Sequence, residues 1–513
     1  MTRPRTRRTG VFNRFFNSSH PISTLPLFLL PLLSLFFTTH AMAQAAPGPT
    51  HGQRYDRLLI KDVLLIDGNG TPTTGPSNVI VENDRITYVG RRTEGEFDAV
   101  IQGNGRYLLP GLINIHNHIR SMPHAGGIDG YEYHFSLMMA CGITTVRQVG
   151  GENQALPLKE QSANGEIIAP RIFVYANTGG ETAEEAVESV RRAHELGADG
   201  IKFFGMDHVP MAAMLAEARR LGMRSAHHVG VEETDAWDDI SGHSTTMEHW
   251  YGIPDAAIPY GSQHFPADYN YSNELDRFRW AGRLWKEADP DKLSKVLQAM
   301  VDSNVGWVPT LDIYEATRDI ARAANQPWFE DYLHPTLEDY FTPDLTSHGS
   351  FYMEWTTEDE IEWKNNYQIW FGALREFAER GGIIGVGDDA GFIYRMYGTG
   401  LIRELELQQE AGFHPLDVIK HATGNNAYLL GAEDELGRIK VGYKADLILV
   451  NNNPLANLKV LYPIPTNVPT AEGYEPGGMV AWTIKDGYTY DAGILRDEVK
   501  EIVREARVHI PRN

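Results

Sequence analysis

From Tyr55 to Leu109 apolar residues come in short β-rich runs broken by turn residues: Leu58–Leu65 before Gly68-Asn69-Gly70, then Asn78–Glu82, then Arg85–Val89 before Gly90. A second set lies near the far end, at Asp446–Val450 and at Val480–Ile484 with the turn Lys485-Asp486-Gly487. Neither set is long enough to bury a face alone, so the pattern predicts one small β-sandwich domain built from both chain ends, residues 44–110 and 436–513, with a terminal helix. Between them, over residues 111–435, short apolar runs alternate with amphipathic stretches such as Thr182–Leu196 and Pro210–Leu221. Eight runs read as strands: Leu112–Ile115, Thr144–Val149, Arg171–Tyr175, Gly200–Phe204, Arg224–Val229, Thr245–Trp250, Trp307–Leu311 and Ile383–Gly387. Eight parallel strands with intervening helices predict an α/β fold, a (β/α)8 barrel whose chemistry sits at the C-terminal strand ends.

The first 43 residues follow a different pattern. Five arginines and no acid precede the apolar run Leu25–Phe37, and Ala41-Met42-Ala43 has small residues at cleavage spacing, which predicts a signal peptide removed before Gln44. Thirteen apolar residues interrupted by Pro26 and Pro31 are short for a ~30 Å hydrocarbon core. The expectation is a soluble exported protein, periplasmic after cleavage, with no membrane partner. Loss of those five arginines moves the formal charge of the 513-residue chain from -22 to -27. With 46 basic against 68 acidic residues, a phosphate-binding surface and hence nucleic acid are excluded as partners. The single cysteine, Cys141, allows neither an internal disulfide nor a thiolate metal site.

Candidate chemistry appears where the barrel rule puts it. The first strand ends in His116-Asn117-His118, whose alternate imidazoles face one space. Lys202 lies on the fourth, His227 and His228 on the fifth, His249 on the sixth, and Asp388 and Asp389 on the eighth. Lys202, His227 and His249 follow one another at intervals of about one β/α unit. Taken singly each has a bland reading, a hydrogen-bonded core histidine or a paired lysine; a charge between Ile201 and two phenylalanines is nonetheless costly unless used.

In this order the residues resemble the amidohydrolase superfamily. The resemblance is carried by Leu108-Leu109-Pro110-Gly111-Leu112 leading into His116-Asn117-His118, Cys141-Gly142-Ile143-Thr144-Thr145-Val146-Arg147, Gly197-Ala198-Asp199-Gly200-Ile201-Lys202, Ala226-His227, Glu248-His249, Gly387-Asp388-Asp389-Ala390-Gly391 and Ala422-Thr423-Gly424-Asn425-Asn426-Ala427. It covers nearly all of the chain after the leader and points to the prolidase-like and imidazolonepropionase-like branch. It implies two divalent ions, zinc by default, with His116, His118 and Asp389 on one, His227 and His249 on the other, and a carboxylated Lys202 bridging them. His227 is chosen because the superfamily's fifth-strand ligand follows a small residue, with His228 expected on the opposite side; His228 and Asp388 stand as alternative ligands. Two ions lower the pKa of a shared water, and Asp389 is placed to move its proton. Arg147 is a candidate anchor for a substrate carboxylate or a structural ion-pair partner.

The implied enzyme is an exported binuclear metal-dependent amidohydrolase that hydrolyses a C–N bond of a small substrate by metal-bound hydroxide, such as an Xaa-Pro dipeptide or an N-acyl amino acid. Cyclic amides and bulky aromatic amides or esters are the alternative substrates. A catalytically silent amidohydrolase-like interaction protein is the alternative of another class. Deaminases of the superfamily with one ion lack the bridging lysine, which disfavours that activity. Two stretches rich in aromatics, Pro254 to Asp289 and Asp312 to Trp363, read as insertions on the catalytic face, forming a lid over the substrate or a contact in a homo-oligomer.

Overall fold

Strands covered on both faces have no polar alternation, and Leu112–Asn117 and Ile143–Val149 are buried at every position. In the computed structural model, which describes residues 47–119, 128, 130–229, 234–259, 279–280, 284–344 and 355–510, these two strands open a parallel sheet of seven. The others are Arg171–Asn177, Gly200–Phe203, Arg224–His227, Thr246–Glu248 and Gly306–Val308, each paired with its sequence neighbour. The leader and most of the first insertion lie outside the described residues.

The eighth run forms an irregular ribbon that closes the barrel. Trp307 N–H donates to Ile383 O and Gly385 N–H to Trp307 O on one side; on the other, Ile115 N–H donates to Val386 O and Asp389 N–H to His116 O. The ribbon approaches the first strand so closely that a Cβ on Gly387 would lie 2.4 Å from His116 Cβ, and this position must be glycine. Asn426 fixes the seam: its side chain accepts from Val386 N–H and donates to the carbonyls of Val386 and Ile113. That gives the stretch Ala422 to Ala427 a structural task.

Helices cover the barrel where capping and periodicity agree. Thr182 and Glu185 form a capping box for Ala183–Glu195, and Thr356 with Asp359 does the same for Thr357–Glu379. The longer helix buries Trp363, Tyr367, Trp370, Phe371, Leu374 and Phe377 along one stripe. Nine strands from the two chain ends make the second sheet. It forks at Arg57–Leu65, which pairs with Thr74–Glu82, Ala99–Gln102 and Tyr107–Pro110. Leu447–Val450 lies between Tyr107–Pro110 and Val480–Lys485, so the two ends of the chain are hydrogen-bonded into one sheet. The terminal helix, Ala492–His509, buries Leu495 with Met139, Ala140 and Tyr490.

The described part of the second insertion is mostly helical. Trp328, Phe329, Tyr332, Phe341 and Trp363 are buried in the hydrophobic core, so these aromatics pack inward and do not stand exposed on the surface. Phe351 and Tyr352 lie outside the described residues.

Candidate active site

At the C-terminal end of the barrel, strand alternation sets most side chains and two backbone kinks set the rest. His116 and His118 alternate on the first strand, their ring centroids 5.2 Å apart. On the sixth strand Thr246 and Glu248 face the interior, so continued alternation would send His249 outward. A left-handed backbone at His249, φ 62°, turns its ring back in, to 4.7 Å from that of His116. A similar kink at Asp389, φ 47°, places its carboxylate 3.1 Å from His118 Nε2, 3.6 Å from His116 Nε2 and 3.8 Å from His249 Nδ1. Asp388 takes no part in this cluster: its Oδ1 accepts from Asn114 Nδ2 at 2.8 Å.

The fifth strand requires a correction. Lys202 is in register with Ala226 and Phe203 with His227, so Lys202 faces the interior while His227 shares the outward side of Phe203. The His227 ring stacks on Phe203 at 4.1 Å, and Nδ1 lies 2.8 Å from Asp239 Oδ2 in the covering helix Ala236–Gly242. His228 is the residue that turns to the site, its ring 4.6 Å from His249 and stacked at 5.0 Å on Tyr251. The small residue before His227 misled the reading; counted by alternation, it is itself the interior neighbour of Lys202.

Arg147 is corrected too. It is fully buried beneath the cluster, donating from Nη2 to Glu248 Oε1 at 2.6 Å, from Nη1 to Thr246 Oγ1 at 3.0 Å and from Nε to the Ile115 carbonyl. Its donors are engaged by the barrel, which rules out the substrate anchor and leaves the ion pair. Glu248, quoted in the sequence only as part of a motif, is the hub of this network. Its Oε2 lies 2.5 Å from His116 Nδ1. An ionised Glu248 accepts only, so His116 carries its proton on Nδ1 and presents a bare Nε2 to the site. Interior spacing from Thr246 to Glu248 would have revealed this residue. Thr310, whose hydroxyl lies 2.6 Å from His249 Nδ1, has no such sequence signal.

Electrostatics follow from burial and these partners. Burial would raise the Glu248 carboxyl, but Arg147 and His116 outweigh it and hold the group well below the usual range. Burial likewise works against ionised Asp389, and the surrounding imidazoles overcome it. Burial lowers His116 to about 4 and His249 well below its ordinary value, so both rings are neutral. It lowers Lys202 to about 8 against the pull of Glu248 and Asp389, and raises Asp388 to about 7. Among the described residues, His116 Nε2 and Lys202 Nζ are buried with no hydrogen-bond partner. One ligand atom each from His116, His249 and Asp389 lies within 4.8 Å of the others. A bare imidazole lone pair facing a carboxylate is a donor set that fits a divalent cation. Tyr251 and Tyr314, hydroxyls 3.1 Å apart, stand behind His249.

A barrel of this kind with histidine, lysine and aspartate at its strand ends defines a class of hydrolase, and comparison with known proteins agrees. Residues 372–489 match the model of the Amidohydrolase family. A 5-methylthioadenosine/S-adenosylhomocysteine deaminase of Syntrophomonas wolfei is 22% identical over 429 residues, 77% of this chain and 85% of that protein. Among solved structures, a Xaa-Pro dipeptidase with bound methionine superposes with a TM-score of 0.58 at 22% identity, covering 85% of this chain and all of the other. The A. niger ochratoxinase does so at 0.56 and 18%, covering 86% and 96%. The match to the Amidohydrolase family, the deaminase relatives and the barrel shared with these structures support an amidohydrolase acting on carbon–nitrogen bonds, a kind of enzyme that is generally metal-dependent.

Proposed function

We propose that the protein hydrolyses a small amide with two divalent ions, zinc by preference, at the mouth of the barrel. His116, His118 and Asp389 would hold one ion, His228 and His249 the other, with Lys202 as a carbamate between them. When bound, the ions supply a water of lowered pKa and polarise the scissile carbonyl. The chain's own groups orient this chemistry and move its protons. Glu248 fixes the His116 tautomer and carries the countercharge of Arg147. Asp389, ionised beside His118, takes the proton of the attacking water and returns it to the leaving nitrogen.

The observation that carries this reading is Lys202: a fully buried amine with no hydrogen-bond partner among the described residues, on the interior side of the fourth strand and under the pull of Glu248 and Asp389. Burial favours the neutral amine, the form that adds carbon dioxide, and a carbamate gives two cations the bridging anion they need.

An Xaa-Pro dipeptide or an N-acyl amino acid is the substrate we favour, supported by the likeness to the Xaa-Pro dipeptidase. Deamination is the second reading, favoured by the curated deaminase relative. The leader is proposed to deliver the enzyme to the periplasm. The test is release of amino acid from a panel of dipeptides and N-acyl amino acids, run beside ammonia release from 5-methylthioadenosine, with chain from Gln44 reconstituted in zinc. Amino-acid release supports the amide reading. Ammonia release alone replaces it with deamination.

A further inference from the structure

Beside the cluster, on the same end of the barrel, a cleft of about 690 Å3 opens between the loops that follow the third and fourth strands. Gly179, Gly180 and Glu181 form one wall and Phe204, Met206 and Asp207 the other. Phe204 joins the cleft to the site. Its ring lies 5.4 Å from that of His228 and 5.3 Å from Lys202 Nζ, yet the residue is 51% exposed, an unusual state for phenylalanine. One face of the ring therefore roofs the fourth-strand lysine while the rest is open to whatever occupies the cleft.

The walls carry charge of one sign. Glu181 and Asp207 are both exposed, and among the described residues lining the cleft none is basic. Asp207 stands at the N-cap of helix His208–Arg220 without capping it through its side chain, so its carboxylate is not spent on the helix. The Glu181 wall is held in place because Glu185 Oε2 accepts from the backbone N–H groups of both Glu181 and Thr182. The helices beginning at Ala183 and His208 bring about half a positive charge each, which two full carboxylates outweigh.

We infer that this cleft is the subsite for an apolar group of the substrate, stacked on Phe204, and that it selects cationic or neutral groups over anionic ones. The substrate class is then an amide bearing an aromatic or aliphatic group that is uncharged or positively charged at its far end. This rests on the reading of the adjacent cluster as the reaction centre. The geometry favours it because an aromatic face attracts apolar groups and cations alike, while the acids repel carboxylates.

The test is a solution NMR titration of the zinc-loaded chain with three aromatic probes that bind zinc poorly: benzyltrimethylammonium, benzyl alcohol and benzenesulfonate. The inference expects affinity to fall in that order, with about tenfold between the first and last, by cation–π attraction and the two carboxylates. Phe204→Ala weakens the first two by about fivefold and Phe204→Leu by less, the share of an aromatic stack. Asp207→Asn together with Glu181→Gln brings the cation down to the affinity of the alcohol. Benzenesulfonate binding as tightly as the cation, or affinities indifferent to Phe204→Ala, would overturn it. The titration needs no turnover. Amide hydrolysis with a flat titration therefore fails the cleft alone, and the expected titration without hydrolysis fails the reaction centre alone.

Discussion

Glu248→Gln is the sharpest probe of the geometry at the cluster. Glutamine has the shape of glutamate but one of its two oxygens becomes an N–H2 donor. Its carbonyl will stay with Arg147 and Thr246, both of which donate to Glu248 Oε1 at 2.6 and 2.5 Å. The amide nitrogen then faces His116 Nδ1, where Oε2 stood at 2.5 Å. Two donors cannot share that contact, so His116 must give up its Nδ1 proton and carry it on Nε2, the atom that faces the cluster. A protonated Nε2 cannot ligate. The expected loss in zinc affinity is about 10–100-fold, the range found when a partner behind a metal-binding histidine is removed. Loss of the carboxylate's charge also leaves Arg147 buried beside a neutral amide. Breaking a buried pair outright costs about 3–5 kcal/mol, and the retained hydrogen bonds put this variant at the lower end. Competition against a chelating dye measures the affinity, and thermal melting with near-UV circular dichroism shows the fold. Zinc affinity within twofold of the parent in a folded variant would refute the tautomer argument.

His228→Ala is expected to lower the metal content and abolish turnover, whereas His227→Ala keeps both and loses about 2 kcal/mol of stability through the unpaired Asp239; elemental analysis and melting of the two variants separate them. Gly387→Ala pushes a methyl to 2.4 Å from His116 Cβ, so it should part the first strand from the closing ribbon, visible as a metal-free protein of lowered melting temperature. Glu315 is nearly buried among Arg395, Arg403 and Arg322; burial would raise its carboxyl but these three lower it to about 2, against an ordinary 4.5. Because the folded value is the lower, its contribution of about 3 kcal/mol is complete above pH 4.5 and fades as pH falls toward 2. Glu315→Gln should accordingly lower stability at pH 7 and flatten its acid dependence between pH 4.5 and 2, as read by urea denaturation.

Much of this was legible in the order of residues because barrel strands impose it. Apolar runs located seven of the strands, and the polar residues at the C-terminal ends of these and of the eighth run named His116, His118, Lys202, His249 and Asp389. The eighth strand was legible as a position but not as a shape, since Gly385 and Gly387 let it run close to its neighbours as a ribbon. What failed was orientation. Alternation gives the side of a residue only relative to a known neighbour, and for His227 and His228 that neighbour is Lys202 across the sheet, in register with Ala226. At His249 and Asp389 the opposite happens: positive φ angles break the alternation, and their inward direction follows from the backbone, not from spacing. Arg147 and Glu248 pair across 101 residues, a distance over which no local pattern speaks. The insertion aromatics were legible as a cluster, but composition does not distinguish a core from a surface.

Lys202 tests the account most directly. Metal content per chain and amide turnover should be measured together on the zinc-reconstituted parent and on Lys202→Ala. The account predicts two ions and hydrolysis in the parent, with fewer ions and no hydrolysis in the variant while it melts as a folded protein. A folded Lys202→Ala that keeps both its metal and its turnover would contradict it.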